Sequence, residues 1–191
     1  MTPFLLSGPT IEPVSLAEAK AWLKLDTNEE DDLVGALVTS ARLVVESVTR
    51  RLILTQAWRF VLDEWPPGKN IDIPFAPFQS LTAIRVYDAA NAVQTLAPAL
   101  YRVEAAPERA RVAFAEAPAA PGRASAGIEI DVVFGYGDAP ASAPAPLRQA
   151  IKLLAARWFE DRGDAFADPA GAQLPAAVAA LVGPYRRARL A

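Results

Sequence analysis

The sequence predicts an α+β fold: a helical bundle of two N-terminal helices and one C-terminal helix, with an inserted antiparallel β subdomain. Three observations carry this prediction. Apolar residues recur every three to four positions from Leu16 to Val48 and again from Leu147 to Trp158, which is the helical period. From Gln56 to Phe134 the period shortens towards two, and β-branched and aromatic residues take over. No internal repeat relates the parts, so helix, strand and helix follow one another as layers of one chain. The chain divides on this pattern into an N-terminal helical part (1–55), the β subdomain (56–134), a C-terminal helical part (135–182) and a basic tail (183–191).

The elements follow in order. Ser15, with Glu18 three residues on, writes a capping box that opens a helix through Lys24, with Pro13 just outside it. Asp26-Thr27-Asn28 breaks that helix, and Thr27 or Asn28 is the expected N-cap of the next. Glu29, Glu30, Asp31 and Asp32 then sit at the positive end of its dipole. Leu33, Leu37, Ala41, Val44 and Val48 form the buried stripe of this second helix, and Val34, Val38 and Val45 widen it beyond one face. Arg42–Glu46 and Glu46–Arg50 are i,i+4 pairs on its polar flank. Strands are expected over 56–62, 70–74 and 81–87, then around 101–104 and 111–114, and most clearly over Gly127–Phe134. Asp88–Asn91 reads as a hairpin loop, and Ala115–Gly127, rich in Ala and Pro, as irregular chain. Pro146 suits the first turn of a third helix, from about Leu147 to Glu160, with Leu147, Ile151, Leu154 and Trp158 as its stripe. A short helix from Pro175 to Val182 ends at Gly183-Pro184, a break that is expected to detach the tail.

Composition narrows the chemistry. A chain of 191 residues, 52% hydrophobic, buries a core without staples. It contains no Cys, which excludes disulfides, thiolate nucleophiles and Cys-ligated metals, and no His, the commonest general base and metal ligand. The formal charge of -3, with basic residues concentrated only at the C-terminus, argues against wrapping nucleic acid. No apolar run is long enough to span a bilayer, and MTPFLLSGPTIEP lacks the basic start of a signal peptide, so a cytosolic site of synthesis is expected.

The candidate sites each have a plainer reading. Gly135-Tyr136-Gly137-Asp138 lies between strand and helix but lacks the Lys-Ser/Thr end of a P-loop, and reads as a turn. Glu29–Asp32 is explained by the helix dipole before any cation. Arg162-Gly163-Asp164 is a bare three-letter match. Glu46 and Glu160 are the helical carboxylates eligible for acid–base work, and the arginines near them favour ion pairing. Trp22, Trp58, Trp65 and Trp158 sit in apolar patterns and are expected to be core or interface anchors rather than base-stacking platforms. No catalytic, cofactor or metal residue is assigned. In the tail, Tyr185, Arg186, Arg187, Arg189 and Leu190 combine residue types enriched at interface hot spots, with a disordered end as the alternative.

The order of these elements resembles the head–tail connector (adaptor, or head-completion) family of tailed bacteriophages and phage-derived gene transfer agents. The resemblance runs through Val14–Lys20, Glu30-Asp31-Asp32-Leu33, and Ala41-Arg42 with Glu46, Thr49 and Arg51. It continues in Gln56-Ala57-Trp58, Ile73-Pro74 with Pro77, Tyr87-Asp88, and Val133–Gly137. Pro146–Ile151 leading to Trp158 and Arg162, and Val182–Arg186, complete it. What the resemblance implies is a structural protein without cofactor or membrane. Such a subunit forms a homo-oligomeric ring, typically a dodecamer, under the portal protein and above stopper or tail proteins, and extends a channel through which DNA passes without specific binding. By the same resemblance the protein belongs at the head–tail junction of a virion or gene-transfer-agent particle assembled in the host cytoplasm. The tail residues Tyr185, Arg186, Arg187, Arg189 and Leu190 would dock on the portal. Val34, Val38, Arg42, Val45, Glu46 and Arg162 would face the neighbouring subunit. A DNA-packaging accessory protein and a carboxylate-dependent hydrolase remain the alternatives.

Overall fold

The alternation from Gly127 to Phe134 becomes the middle strand of an antiparallel sheet. In the computed structural model, which describes residues 1–106, 109–161 and 174–186, the chain divides into two units. The sheet unit comprises Met1–Pro9 with Thr55–Gly135, and the helical unit Thr10–Leu54 with Tyr136–Ala191. The described residues are therefore of mixed α+β class, with strands and helices in separate units.

The strands of the sheet unit are β1 (Thr2–Ser7), β2 (Gln56–Leu62), β3 (Asn70–Ile73), β4 (Phe78–Tyr87), β5 (Val93–Thr95), β6 (Tyr101–Ala106), β7 (Arg109–Phe114) and β8 (Ile128–Phe134). They form a five-stranded sheet in the order β1-β2-β8-β4-β5 and a three-stranded sheet in the order β3-β7-β6. Register follows the hydrophobic pattern. Phe60 of β2 and Ile84 of β4 both stand opposite Ile130 of β8, and all three are buried. Ile128, Val132 and Phe134 continue that face. Phe75 closes it against Trp58, Phe60 and Phe134, with ring centroids 5.2, 5.7 and 5.7 Å away at tilted to edge-on angles. The Asp88–Asn91 loop turns without glycine because the Asp88 carboxylate accepts from the backbone N–H of Ala90 and Ala92, both at 2.8 Å. Asn91 takes the left-handed conformation at φ 63°. Ala115–Gly127, expected to be irregular, contains no strand.

Two strands lie outside the sequence reading. β1 falls in the N-terminal segment expected to belong with the helices; it pairs antiparallel with β2, with a register shift between Leu5 and Ser7, and moves Met1–Pro9 into the sheet unit. It leaves no alternation to read because all six of its residues are exposed. β5 is three residues long and equally exposed, too short for a periodic signal.

In the helical unit, α1 (Leu16–Leu23), α2 (Asp31–Thr49), α3 (Ala145–Glu160) and α4 (Ala176–Val182) pack around one core. Ser15 caps α1 as expected, its hydroxyl accepting from the Glu18 N–H at 3.1 Å. α2 begins at Asp31 behind Glu30, whose side chain makes no capping bond. The expected cap Asn28 instead accepts from the Lys20 ammonium at 2.6 Å, and Asp31 pairs with that same lysine. Asp31 and Asp32 keep their place in the first turn at the positive helix end. Both N-terminal helices stop at a non-glycine residue in the left-handed region, Lys24 at φ 58° and Arg50 at φ 57°. Val34, Val38, Ala41 and Val45 of α2 meet Leu147, Ile151 and Leu154 of α3 and Val178 and Val182 of α4 in the core. Small residues at Ala41, Ala150 and Ala155 let these helices approach closely.

Candidate assembly surfaces

The polar side of α2 is an ion network, and the core side of the helix positions it. Arg42, only 6% exposed, donates to the Glu12 carboxylate at 2.7 and 3.3 Å and to Glu46 at 2.9 Å. Thr39 adds a hydroxyl bond to Glu12 at 2.9 Å. Glu46, also 6% exposed, accepts from the Ile53 N–H at 2.8 Å with its other oxygen. Burial disfavours the Arg42 charge, but Glu12 and Glu46 outweigh it and hold the guanidinium above its ordinary pKa. Glu46 is thus a structural carboxylate joining α2 to the chain that leaves it, and the acid–base reading of this residue loses its free oxygen. Glu160 is exposed at the end of α3.

Val34, Val38 and Val45 are at most 2% exposed inside the helical unit. With Arg42 and Glu46, each 6% exposed, they pack within the helical unit of one chain, which accounts for the width of the apolar stripe. The outward side of α2 carries Asp32, Ala36, Ser40, Leu43, Ser47 and Arg50. Arg162, the sixth residue expected at the interface, lies outside the described residues, as does Arg162-Gly163-Asp164.

The C-terminal segment is held in place at its start. Gly183–Tyr185 forms a single 3₁₀ turn after α4 rather than a detached linker. Arg51, 5% exposed, donates to the Tyr185 carbonyl at 2.8 Å, and its guanidinium lies 5.7 Å from the centre of the Tyr185 ring. Tyr185 also packs on the helical core. Arg186 is exposed, and Arg187, Arg189 and Leu190 fall outside the described residues. Tyr185 is therefore an anchor, and the segment expected to reach a partner starts at Arg186.

Two further charge clusters went unread in the sequence. Glu18 accepts from Arg148 at 2.7 Å and from Lys152 at 3.2 Å, while Arg148 also donates to the Pro13 carbonyl at 2.9 Å. Burial would raise the Glu18 pKa; the bonds from Lys152 and Arg148 prevail and lower it. Lys152 lies 5.3 Å from the centre of the Trp22 ring, which is 45% exposed rather than in the core. On the outer face of the five-stranded sheet, Asp131 accepts from Arg59 at 2.7 and 2.9 Å and from Arg85 at 2.5 Å. Burial opposes ionisation of Asp131, but both arginines overcome it and hold the carboxyl below its ordinary pKa. The only forward signal for this cluster is cross-strand placement: Arg59 stands opposite Asp131, and Arg85 opposite Glu129.

The sheet unit also has an open groove of about 1050 Å³, bordered by Asp63, Glu64, Asp72 and Arg123. Asp63 accepts from the Ala126 N–H, and Asp72 is paired with Arg109 and Arg111, so these two are structural. Among the described residues no group of acids is placed to hold a metal ion, and Gly135-Tyr136-Gly137 is a turn in which Gly135 and Gly137 have φ of 124° and 147°. A side chain at Gly137 would in addition collide with Ser142. No helix among the described residues is long and apolar enough to cross a membrane.

What is left are surfaces, and the comparisons with known proteins agree in kind. No protein-family model matches the sequence, and no curated protein matches it. Solved structures do. A chain in the neck of an empty gene transfer agent (GTA) particle, computed with C6 symmetry, superposes with a TM-score of 0.85 at 28% identity, over 100% of this chain and 98% of that one. A chain in the virion of a native gene transfer agent particle gives 0.83 at 28% identity, with the same coverage of 100% and 98%. A chain in the neck of a native GTA particle computed with C12 symmetry gives 0.75 at 27% identity, covering 98% and 97%. Through both units and in both sequence and fold, this chain is similar to chains of gene transfer agent particles and their necks.

Proposed function

We propose that this protein is a structural component of the neck of a phage-like gene-transfer-agent particle, at the junction of head and tail. The observation that carries the reading is likeness over the whole chain: a TM-score of 0.85 to a neck chain at 28% identity, with nothing of consequence left unmatched on either side. Such agreement over two separate units is hard to reach by sharing one common domain. The chemistry of the chain fits. It has no His or Cys, and its buried carboxylates Glu46 and Asp131 are spent on arginines.

Within that reading the protein is an adaptor subunit. Copies form a ring between portal and stopper or tail, twelve being the number favoured by the C12 symmetry of one neighbour. The ring lengthens a channel for DNA, and a formal charge of -3 suits passage without adhesion. Arg186, Arg187, Arg189 and Leu190 form the portal-docking end, displayed by the Tyr185 anchor. The test is deletion of the gene in a particle-producing strain, followed by electron microscopy. The expected outcome is heads and tails that no longer join, restored by the gene in trans. Tailed particles of normal yield from the deletion strain would overturn the proposal.

A further inference from the structure

Among the described residues of the sheet unit, the large hydrophobic side chains left exposed are Met1, Phe4, Leu5, Leu6, Val93 and Leu100. They are not scattered. The first four lie on or beside β1 and Val93 lies on β5, the two edge strands of the five-stranded sheet, while Leu100 ends the 3₁₀ turn that leads into β6. The two edges are also uncharged: no charged side chain occurs between Met1 and Glu12, nor between Asp88 and Arg102. Edge strands that face only water are normally protected by charges or by a covering element. In the three-stranded sheet the edge strand β6 has that protection, its exposed Arg102 and Glu104 forming an ion pair. β1 and β5 carry no charged side chain, and among the described residues nothing buries them.

We infer that β1 of one copy docks on the β5 edge of the next, so that sheets join end to end around the ring. This rests on the neck reading above and names the contact that would build it. A cyclic ring of identical subunits needs two different, mutually complementary patches on each copy, repeated head to tail. The opposite edges of one sheet meet that requirement, since each offers unpaired backbone N–H and C=O groups flanked by apolar side chains. β5 offers only three residues, Val93–Thr95, and β1 can pair over little more. Pro3 has no N–H to give, and the register of β1 shifts between Leu5 and Ser7. Pairing over the three residues of β5 is therefore enough to join the two edges. The valines of α2 play no part in this contact, being buried in their own unit.

The test uses the absence of cysteine from the natural chain. The full-length protein carrying Leu5→Cys and Val93→Cys together, and each alone, is treated with a short bis-maleimide and resolved under denaturing conditions. Both positions are exposed, so the fold is expected to hold, and a thermal melt checks it. The expected result is a ladder of covalent multimers from the double variant and monomer from each single one. A double variant that stays monomeric, a dimer from Leu5→Cys alone, or a cross-link to a different protein in purified particles would each overturn the inference. As a second variant, Leu5→Lys is expected to keep the wild-type melting temperature while lowering multimer yield at least tenfold; assembly at the wild-type yield would overturn it equally. The two readings fail separately. Absence of the wild-type chain from neck-bearing particles sinks the neck assignment. Its presence there without a ladder from the double-cysteine chain sinks the edge contact alone.

Discussion

Arg42 illustrates how a charge is kept inside this protein: two carboxylates and a helix surround it, and each oxygen has a donor. Removing Glu46 leaves Arg42 with Glu12 as its carboxylate partner but strips the buried Ile53 N–H of its acceptor. Glu46→Ala is therefore expected to destabilise the helical unit by about 1–3 kcal/mol, measured by urea unfolding. Asp131 supports the sheet unit in a pH-dependent way. Its folded pKa lies below the ordinary value of 3.8, so its contribution is complete above the unfolded pKa and is lost as pH falls through the folded one. Asp131→Asn should melt at a lower temperature than wild type at pH 7, with the gap narrowing as pH falls below the unfolded pKa and closing only once pH has passed below the depressed folded one. Thermal melts across this range check it. At this scale the sequence was partly legible. The Arg42–Glu46 pairing follows from i,i+4 spacing, whereas Glu12, Ile53 and Arg148 reach their partners through tertiary contacts that spacing does not encode.

Elements were easiest to read where one face is buried and the other is wet. β8 and β2 alternate, and α3 keeps its stripe, so their extents are visible in the sequence. β1 is invisible for the opposite reason: all six of its residues are exposed among the described ones, so no period is imposed. Gly183-Pro184 predicts a break after α4, whereas in the fold Arg51 captures the Tyr185 carbonyl and ring and holds the turn, a tertiary contact that local sequence does not encode. Two truncations separate these roles. A chain ending at Arg186 is expected to melt like wild type yet fail to enter particles. A chain ending at Gly183 should fail likewise and also lose about 1–3 kcal/mol, because the buried Arg51 guanidinium loses a hydrogen-bond acceptor. Circular dichroism melts and particle pull-downs with a tagged head measure the two effects. Wild-type recovery of the Arg186-ended chain in particles would refute the docking role of the residues after it.

For the molecule as a whole, the mixed α+β class and the absence of His and Cys were legible from composition and period. The surfaces that matter for assembly were not, since an exposed residue leaves no pattern unless its partner is known. One consequence of composition reaches the whole particle. With no His or Cys, no side chain of ordinary pKa has its midpoint near neutrality, yet the formal charge of -3 at pH 7 falls to zero near the pI of about 5.1 as carboxylates take up protons. Self-association is therefore expected to rise as pH falls from 7 towards 5, followed by light scattering. A scattering signal that stays flat over that range would overturn this expectation.

The strand at the centre of the five-stranded sheet is the last of its members to be made. β1 leaves the ribosome first, β2 follows some fifty residues later, and β8, which joins β2 to β4, ends only at Phe134. At about 5–20 residues per second this interval lasts on the order of ten seconds, during which β2 and β4 lack the strand that unites them. The α1–α2 pair, being local in sequence, can form long before that. The apolar opening segment thus spends the time of synthesis as a hairpin with β2 at most. The same uncharged edge that would later meet a sister copy is then a hazard among nascent chains on one message, and slow completion of the sheet makes it the step at which quality control has most to guard.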